Sequence, residues 1–334
     1  MVDNSAKPLV TITGVSGYLG SQTCLAFLQD GSYRVRGTVR DTTDQAKLQP
    51  LRDAFGALFD QLELVEADLC NDAQIAAAIA GATYVVHTAS PFFFGTDAAT
   101  LITPAVEGTK SVMRACKENR VRRCVITASI ASVLYQERHG EDGWDETTWS
   151  QMEWPGISMY AQSKLMAEKA AWEFQSELPE AEKFELVTIL PGFILGPALR
   201  VESSISIDFC LNLVTGKLPA IPYRSMPIVD VRDCAQMHLK AIQVPEAANH
   251  RFLSTNESVW MKDLAAPVIE RFVPQGWPVT TALAPAPEGD DGWVNKCNNA
   301  KSRQLLGMQY RPYAETMVDM AAKMIEIGAA KKPE

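Results

Sequence analysis

Along the first 190 residues, short apolar runs trade places with segments whose apolar positions recur every three or four residues. Residues 9–13 are apolar and β-branched, and Leu19, Cys24, Leu25, Phe27 and Leu28 follow at helical spacing. The first segment reads as a buried strand and the second as a helix that begins near Tyr18. From Arg34 to Arg40 the pattern alternates, with Val35, Gly37 and Val39 on one side and Arg34, Arg36, Thr38 and Arg40 on the other, which marks a second strand. The same rhythm predicts helices over 45–55, 73–80, 100–119 and 160–178, and strands over 62–66, 84–87, 124–127 and 186–190. Strands that take turns with helices imply an α/β fold, a doubly wound parallel sheet with right-handed crossovers. The polar stretch 136–159, which carries Trp144, Trp149 and Trp154, reads as an excursion over the surface.

Beyond Pro191 the rhythm loosens, with turn residues at Gly192, Gly196-Pro197, Gly216, Pro219 and Pro222. Helices are expected over 205–214, 231–242, 261–272 and 313–327, and a proline- and glycine-rich loop over 273–292. The chain therefore divides into a Rossmann domain over 1–190, to which some later segments return, and a smaller, mainly helical cap over 191–334. Such a cap closes over the carboxyl ends of the strands, where open α/β sheets bind ligands.

Gly14, Gly17 and Gly20 stand between the first strand and the first helix. That spacing suits a phosphate cradle, in which the turn lets backbone approach a pyrophosphate and the helix N-terminus offers N–H groups to it. Twenty residues after Gly20 stands Arg40, with Lys47 one or two helical turns further. An arginine there receives the 2′-phosphate of NADP, whereas Asp41 would instead serve the ribose hydroxyl of NAD. The competing reading makes Arg40 a solvated strand end; the balance favours NADP. Asp68 and Leu69, at the third strand's end, are placed to meet the adenine.

Composition narrows the classes. A 334-residue chain with 47% hydrophobic residues buries a substantial core, and a net charge of -9 argues against nucleic acid or an anionic membrane as partner. Seven cysteines form no C-x-x-C pair and four histidines are scattered, so reduced thiols and no metal site are expected. Residues 1–7 lack an apolar signal core, and no apolar run reaches the ~18 residues of a membrane helix. The expectation is a soluble, cytoplasmic protein.

Tyr160 and Lys164 lie four apart at the start of a predicted helix, hence on one face. An ammonium beside a phenol favours the phenolate and tunes it for proton transfer. Ser129 follows the fifth strand at the same edge of the sheet and offers a hydroxyl to a carbonyl oxygen. His87, inside a strand, reads as a packed and hydrogen-bonded residue.

The chain resembles the extended short-chain dehydrogenases/reductases, in the branch of dihydroflavonol reductases, cinnamoyl-CoA reductases and fungal NADPH-dependent aldehyde and ketone reductases. The resemblance runs from residue 9 to about residue 324. Its motifs are Thr13-Gly14-Val15-Ser16-Gly17-Tyr18-Leu19-Gly20, residues 35–41, 87–91 and 127–129, Asp145-Glu146 with Trp149, Tyr160 with Lys164, Ala171-Trp172, Pro191 with Gly196-Pro197, and residues 229–233. It implies Ser129, Tyr160 and Lys164 as the catalytic trio. The cofactor contacts it implies begin with Gly14, Ser16, Gly17, Tyr18, Leu19 and Gly20, with Arg40 and Lys47 at the 2′-phosphate and Asp68 and Leu69 at the adenine. They continue with Thr88, Ala89 and Ser90, Thr127, Tyr160 and Lys164, then Pro191, Gly192, Phe193 and Ile194, and Ser206. Candidate substrate residues are Ser90, Phe92, Phe93, Ser129, Ile130, Phe193 and Tyr223, an apolar or aromatic lining.

The implied activity is NADPH-dependent reduction of an aldehyde or ketone to an alcohol by a monomer or homodimer, with Tyr160 as proton donor. Alternatives are dihydroflavonol or cinnamoyl-CoA reduction, or a nucleotide-sugar or steroid substrate. The run from Ile157 to Lys164 departs from the Asn-Trp-Tyr-Cys-Tyr-Gly-Lys of cinnamoyl-CoA reductases. Leu134 stands where dihydroflavonol reductases place an asparagine, and the run from His87 to Thr96 resembles the fungal carbonyl reductases.

Overall fold

The computed structural model describes residues 6–90, 98–201 and 204–332. In chain order the first half comprises β1 (Leu9–Thr13), α1 (Tyr18–Asp30), β2 (Arg34–Val39), α2 (Gln45–Phe55), β3 (Leu62–Glu66), α3 (Asp72–Ile79), β4 (Tyr84–His87), α4 (Ala98–Glu118), β5 (Arg123–Thr127) and α5 (Ala131–Leu134). The second half comprises α6 (Met159–Glu177), β6 (Glu185–Pro191), β7 (Phe193–Leu195), α7 (Ile205–Val214), β8 (Ser225–Asp230), α8 (Val231–Gln243), β9 (Arg251–Ser254), β10 (Ser258–Trp260), α9 (Met261–Phe272), α10 (Ala300–Leu306) and α11 (Tyr313–Glu326).

Seven strands make one parallel sheet in the order β3-β2-β1-β4-β5-β6-β9. The strand order reverses direction between β1 and β4, so a crevice opens there at the carboxyl ends, the usual ligand position in doubly wound sheets. Every residue of β1 is buried, as a strand covered by helices on both faces requires. Phe27 of α1, Leu51 of α2 and Met237 of α8 share one apolar cluster with Val10 and Ile12. Ile79, Met113 and Ala171, from α3, α4 and α6, share another with Val85 and Cys124.

The last third holds strands as well as helices. β8 pairs parallel with β7 and antiparallel with β10, and α7, α9 and α11 pack on one further apolar cluster. β9 returns to the main sheet beside β6. The sequence pattern marks none of β7, β8, β9 or β10: β7 and β10 are three residues long, β9 is four, and β8 carries Pro227 within it. Among the described residues no helix is long and apolar enough to cross a membrane.

Two buried arginines pin the sheet. Arg123 pairs with Glu185 at 2.6 Å and donates to the carbonyls of Ala241, Val244 and Pro245, satisfying the C-terminus of α8. Arg251 pairs with Glu168 of α6 at 2.8 Å, donates to the carbonyls of Glu146 and Thr148, and stacks 3.5 Å over the ring of Trp149. The excursion over 136–159 is thereby fastened to the sheet beside α6.

Candidate active site

The turn after β1 brings its backbone under the crevice. Gly14 has φ +72, and a Cβ on it would stand 2.9 Å from the Cβ of Ala89 after β4. A Cβ on Gly20 would stand 2.2 Å from the Gly14 carbonyl oxygen. Gly17 differs, since the nearest atom to its notional Cβ lies at 3.4 Å. No protein neighbour forbids a side chain at Gly17, so what its absence leaves is room for a ligand. Gly17 is also the N-cap of α1 and supplies no side-chain cap to it, so the helix start presents backbone N–H groups to the cleft.

The cleft above this turn encloses about 370 Å³ and is lined by Gly14, Ser16, Gly17, Tyr18, Leu19 and Gly20, by Arg40 and Lys47, by Asp68 and Leu69, and by Thr88, Ala89 and Ser90. Each of these belongs to the set expected from the sequence. Thr38, Val39, Ala67, Cys70 and Arg200 also line it and were not anticipated. Asp41 does not compete for the cleft: its carboxylate accepts from Thr43 N and Oγ1 at 2.7 and 2.6 Å, which also hold its pKa below the ordinary value. Thr42 N and Oγ1 in turn donate to Glu66. The acidic side chains around Arg40 are thus committed to shaping the loop. Lys47 is held by Asp44, Nζ to Oδ2 2.6 Å, and Arg40 is exposed with no ion-pair partner among the described residues. The cationic end of the cleft suits a phosphate carried on a ribose.

The candidate catalytic residues Ser129, Tyr160 and Lys164 do not themselves line this cleft; Lys164 meets its wall at Ser90. Ser158 caps α6 by accepting from Ala161 N at 3.2 Å, which sets Tyr160 in the first turn and Lys164 one turn on. Ser129 follows β5, and its Oγ accepts from Ala131 N at 3.1 Å while its hydroxyl stands near enough to the Tyr160 phenol to favour the phenolate. Lys164 Nζ donates to Ser90 Oγ at 3.0 Å and lies 5.9 Å from the Tyr160 ring centre. Burial pulls Lys164 down to about 8. Tyr160 is 41% exposed as a residue, yet its phenol end is desolvated.

One expectation is corrected here. The sequence reading has the ammonium drawing the phenol down, but Tyr160 lies above its ordinary pKa, because desolvation outweighs the nearby Ser129 hydroxyl and the Tyr135 phenol adds to the rise. The lysine directs its hydrogen bond at Ser90 instead. His87 is buried, shares a proton with Thr13 Oγ1 at 2.8 Å, and is pushed to about 3 by burial and by the Lys164 charge. It is neutral, a packed residue as expected.

Thr127 lines a small cavity of about 20 Å³ behind Lys164, and its Oγ1 bonds His238 Nε2 at 2.8 Å. Pro191 is brought against the serine turn, its carbonyl accepting from Ile130 N at 2.9 Å. Pro191, Gly192, Phe193, Ile194 and Ser206 do not line the dinucleotide cleft. Phe193 packs against Phe209, ring centres 6.0 Å apart, and Tyr223 against Trp260 at 4.9 Å, on the cap side. Phe92 and Phe93 lie outside the described residues.

The model of the NAD dependent epimerase/dehydratase family matches residues 10–253. A dihydroflavonol 4-reductase of Zea mays is 35% identical over 286 residues, covering 82% of this chain and 78% of the maize protein. Cinnamoyl-CoA reductase 1 of Petunia hybrida is 32% identical over 323 residues, covering 96% and 93%. Among solved structures, yeast methylglyoxal/isovaleraldehyde reductase Gre2 complexed with NADPH superposes with a TM-score of 0.79 at 26% identity, over 97% of this chain and all of that one.

Proposed function

The chain belongs to the NAD dependent epimerase/dehydratase family, and from that premise we propose that it is an NADPH-dependent carbonyl reductase acting on an aldehyde or ketone. The observation that carries the reading is one arrangement: a cleft with Arg40 and Lys47 at its cationic end and the glycine turn beneath, whose wall residue Ser90 accepts from Lys164, with Tyr160 and Ser129 beside that lysine. The residues present fit NADPH. Arg40 and Lys47 would hold the 2′-phosphate, the Gly14–Gly20 turn the diphosphate, Asp68 and Leu69 the adenine, and Lys164 the nicotinamide ribose. When bound, that cofactor supplies a hydride to the carbonyl carbon.

The protein's part is to orient the carbonyl group and handle its proton. The Ser129 hydroxyl holds the substrate oxygen, and the neighbouring Tyr160 phenol delivers a proton to that oxygen as negative charge develops on it. A phenol above its ordinary pKa is protonated at neutrality, which is the form a donor needs. The Lys164 ammonium then stabilises the phenolate left behind. Seven unpaired cysteines support a reducing compartment such as the cytoplasm.

The apolar character of Phe193, Phe209, Tyr223 and Trp260 on the cap side favours an apolar or aromatic carbonyl compound. The likeness to dihydroflavonol reductase keeps flavanonols as a second reading. The test is the oxidation of NADPH and NADH against a panel of aldehydes, ketones, flavanonols and acyl-CoA thioesters, with wild type and Tyr160→Phe. Turnover by the wild type with simple carbonyl compounds, lost by at least ~100-fold in Tyr160→Phe while NADPH still binds, is expected. Undiminished turnover in Tyr160→Phe would remove the phenol from the mechanism.

A further inference from the structure

The segment leaving β7 is stitched to the glycine turn and the first turns of α1 by three hydrogen bonds. Tyr18 Oη donates to the Gly196 carbonyl at 2.6 Å, Gln22 Nε2 to the Pro197 carbonyl at 2.9 Å, and Arg200 Nε to the Ser16 carbonyl at 2.5 Å. The same strap straddles both halves of the molecule: Ala198 is buried in the apolar cluster of the cap, while Leu199 packs on that of the sheet. Its backbone is therefore held from two sides, and Arg200 projects from a fixed base. The Arg200 side chain forms part of the wall of the dinucleotide cleft. Its anchor, Ser16, directly precedes Gly17, the N-cap of α1. Arg40 and Lys47, by contrast, belong to the end of β2 and the first turn of α2.

Charge makes this placement matter. The chain carries a net charge of -9, and Asp68 is the one carboxylate among the described residues lining the cleft. A glycine turn and a helix start offer only neutral dipoles to a diphosphate, whereas a guanidinium pairs phosphate oxygens in two places at full charge. On the dinucleotide reading above, we propose that Arg200 binds the diphosphate bridge of the cofactor, a cationic clamp that the cap lends to the Rossmann sheet. The fork sits against the very turn whose backbone receives that diphosphate. Because both nicotinamide dinucleotides share the bridge, Arg200 governs affinity for either and takes no part in choosing between them.

The test is the affinity of Arg200→Gln and Arg200→Lys for NADPH, NADH and 2′-AMP, the last of which carries the 2′-phosphate and lacks the bridge. Arg200→Gln is expected to weaken NADPH and NADH by the same factor, about 10- to 100-fold for a lost charge-assisted pair, and to leave 2′-AMP unchanged. Arg200→Lys keeps the charge and is expected to recover part of the loss. Unchanged NADPH affinity in Arg200→Gln would overturn the assignment, as would a loss confined to NADPH. A fall of 2′-AMP together with both dinucleotides, equal in the glutamine and lysine variants, would mean that the strap is merely loosened and would also overturn it. Failure of the wild type to bind either dinucleotide is a separate result, which sinks the reductase reading itself.

Discussion

Lys164 carries a pH signature that can be worked out from the structure. Burial holds its ammonium at about 8 instead of 10.5, so between those values the unfolded chain binds a proton that the folded chain does not. Stability therefore rises with pH across this window, and below pH 8 the folded state bears the full cost of a buried charge, up to about 3 kcal/mol. Lys164→Met removes that cost and loses one hydrogen bond to Ser90, worth roughly 1 kcal/mol. The variant should be more stable than wild type near pH 7 by about 2 kcal/mol, with the advantage fading to nothing or reversing toward pH 10.5. His87, at about 3, titrates below the window, and Tyr160, present in both proteins, contributes to each and drops out of the difference. Urea unfolding of both proteins at four pH values between 7 and 10.5 reads the difference directly. A stability difference that stays constant over that range would refute the buried-ammonium argument. An anionic dinucleotide favours the charged lysine, so NADPH binding near pH 8.5 should also take up part of a proton. Calorimetry in two buffers of different ionisation enthalpy measures this uptake, which should vanish in Lys164→Met.

Arg40→Ala removes the cation beside the 2′-phosphate position, so NADPH affinity should fall by about 10- to 100-fold while NADH affinity holds, as measured by fluorescence titration; an equal loss for both would show that Arg40 does not read the phosphate. Gly20→Ala drives a Cβ to 2.2 Å from the Gly14 carbonyl oxygen, so the turn must shift. A stability loss of about 1–3 kcal/mol with loss of dinucleotide binding is expected from denaturation and titration; Gly17→Ala, whose Cβ meets nothing closer than 3.4 Å, should lose binding with little loss of stability. Arg251→Met leaves the Glu168 carboxylate, with no exposed side-chain surface, facing only Thr188. A cost of about 3–5 kcal/mol in urea unfolding follows for a broken buried pair, and a nearly neutral result would refute it.

What the sequence makes legible here is local. The β1 run, the glycines behind it and the helical period after them lie within about twenty residues, and a four-residue step puts Tyr160 and Lys164 on one face whatever the rest of the chain does. Distance along the chain hides the remainder. Arg123 and Arg251 look like surface charges until Glu185 and Glu168 are seen 62 and 83 residues away, and β8, with Pro227 in its middle, becomes a strand only through β7 and β10. The phenol shows the same limit in energetic form. Spacing gives the nearness of an ammonium but not the desolvation that outweighs it. Arg200 is the extreme case, since it meets Ser16 across 184 residues and belongs to none of the motifs itself. A cap that reaches back to an ordinary glycine turn is thus a place where cofactor affinity can be set independently of the motif that announces the cofactor. For that reason the Arg200 and Arg40 variants should act separately: their effects on NADPH affinity should add in the double variant, as distant, unshared contacts do, and a strongly non-additive pair would mean that both side chains grip the same phosphate.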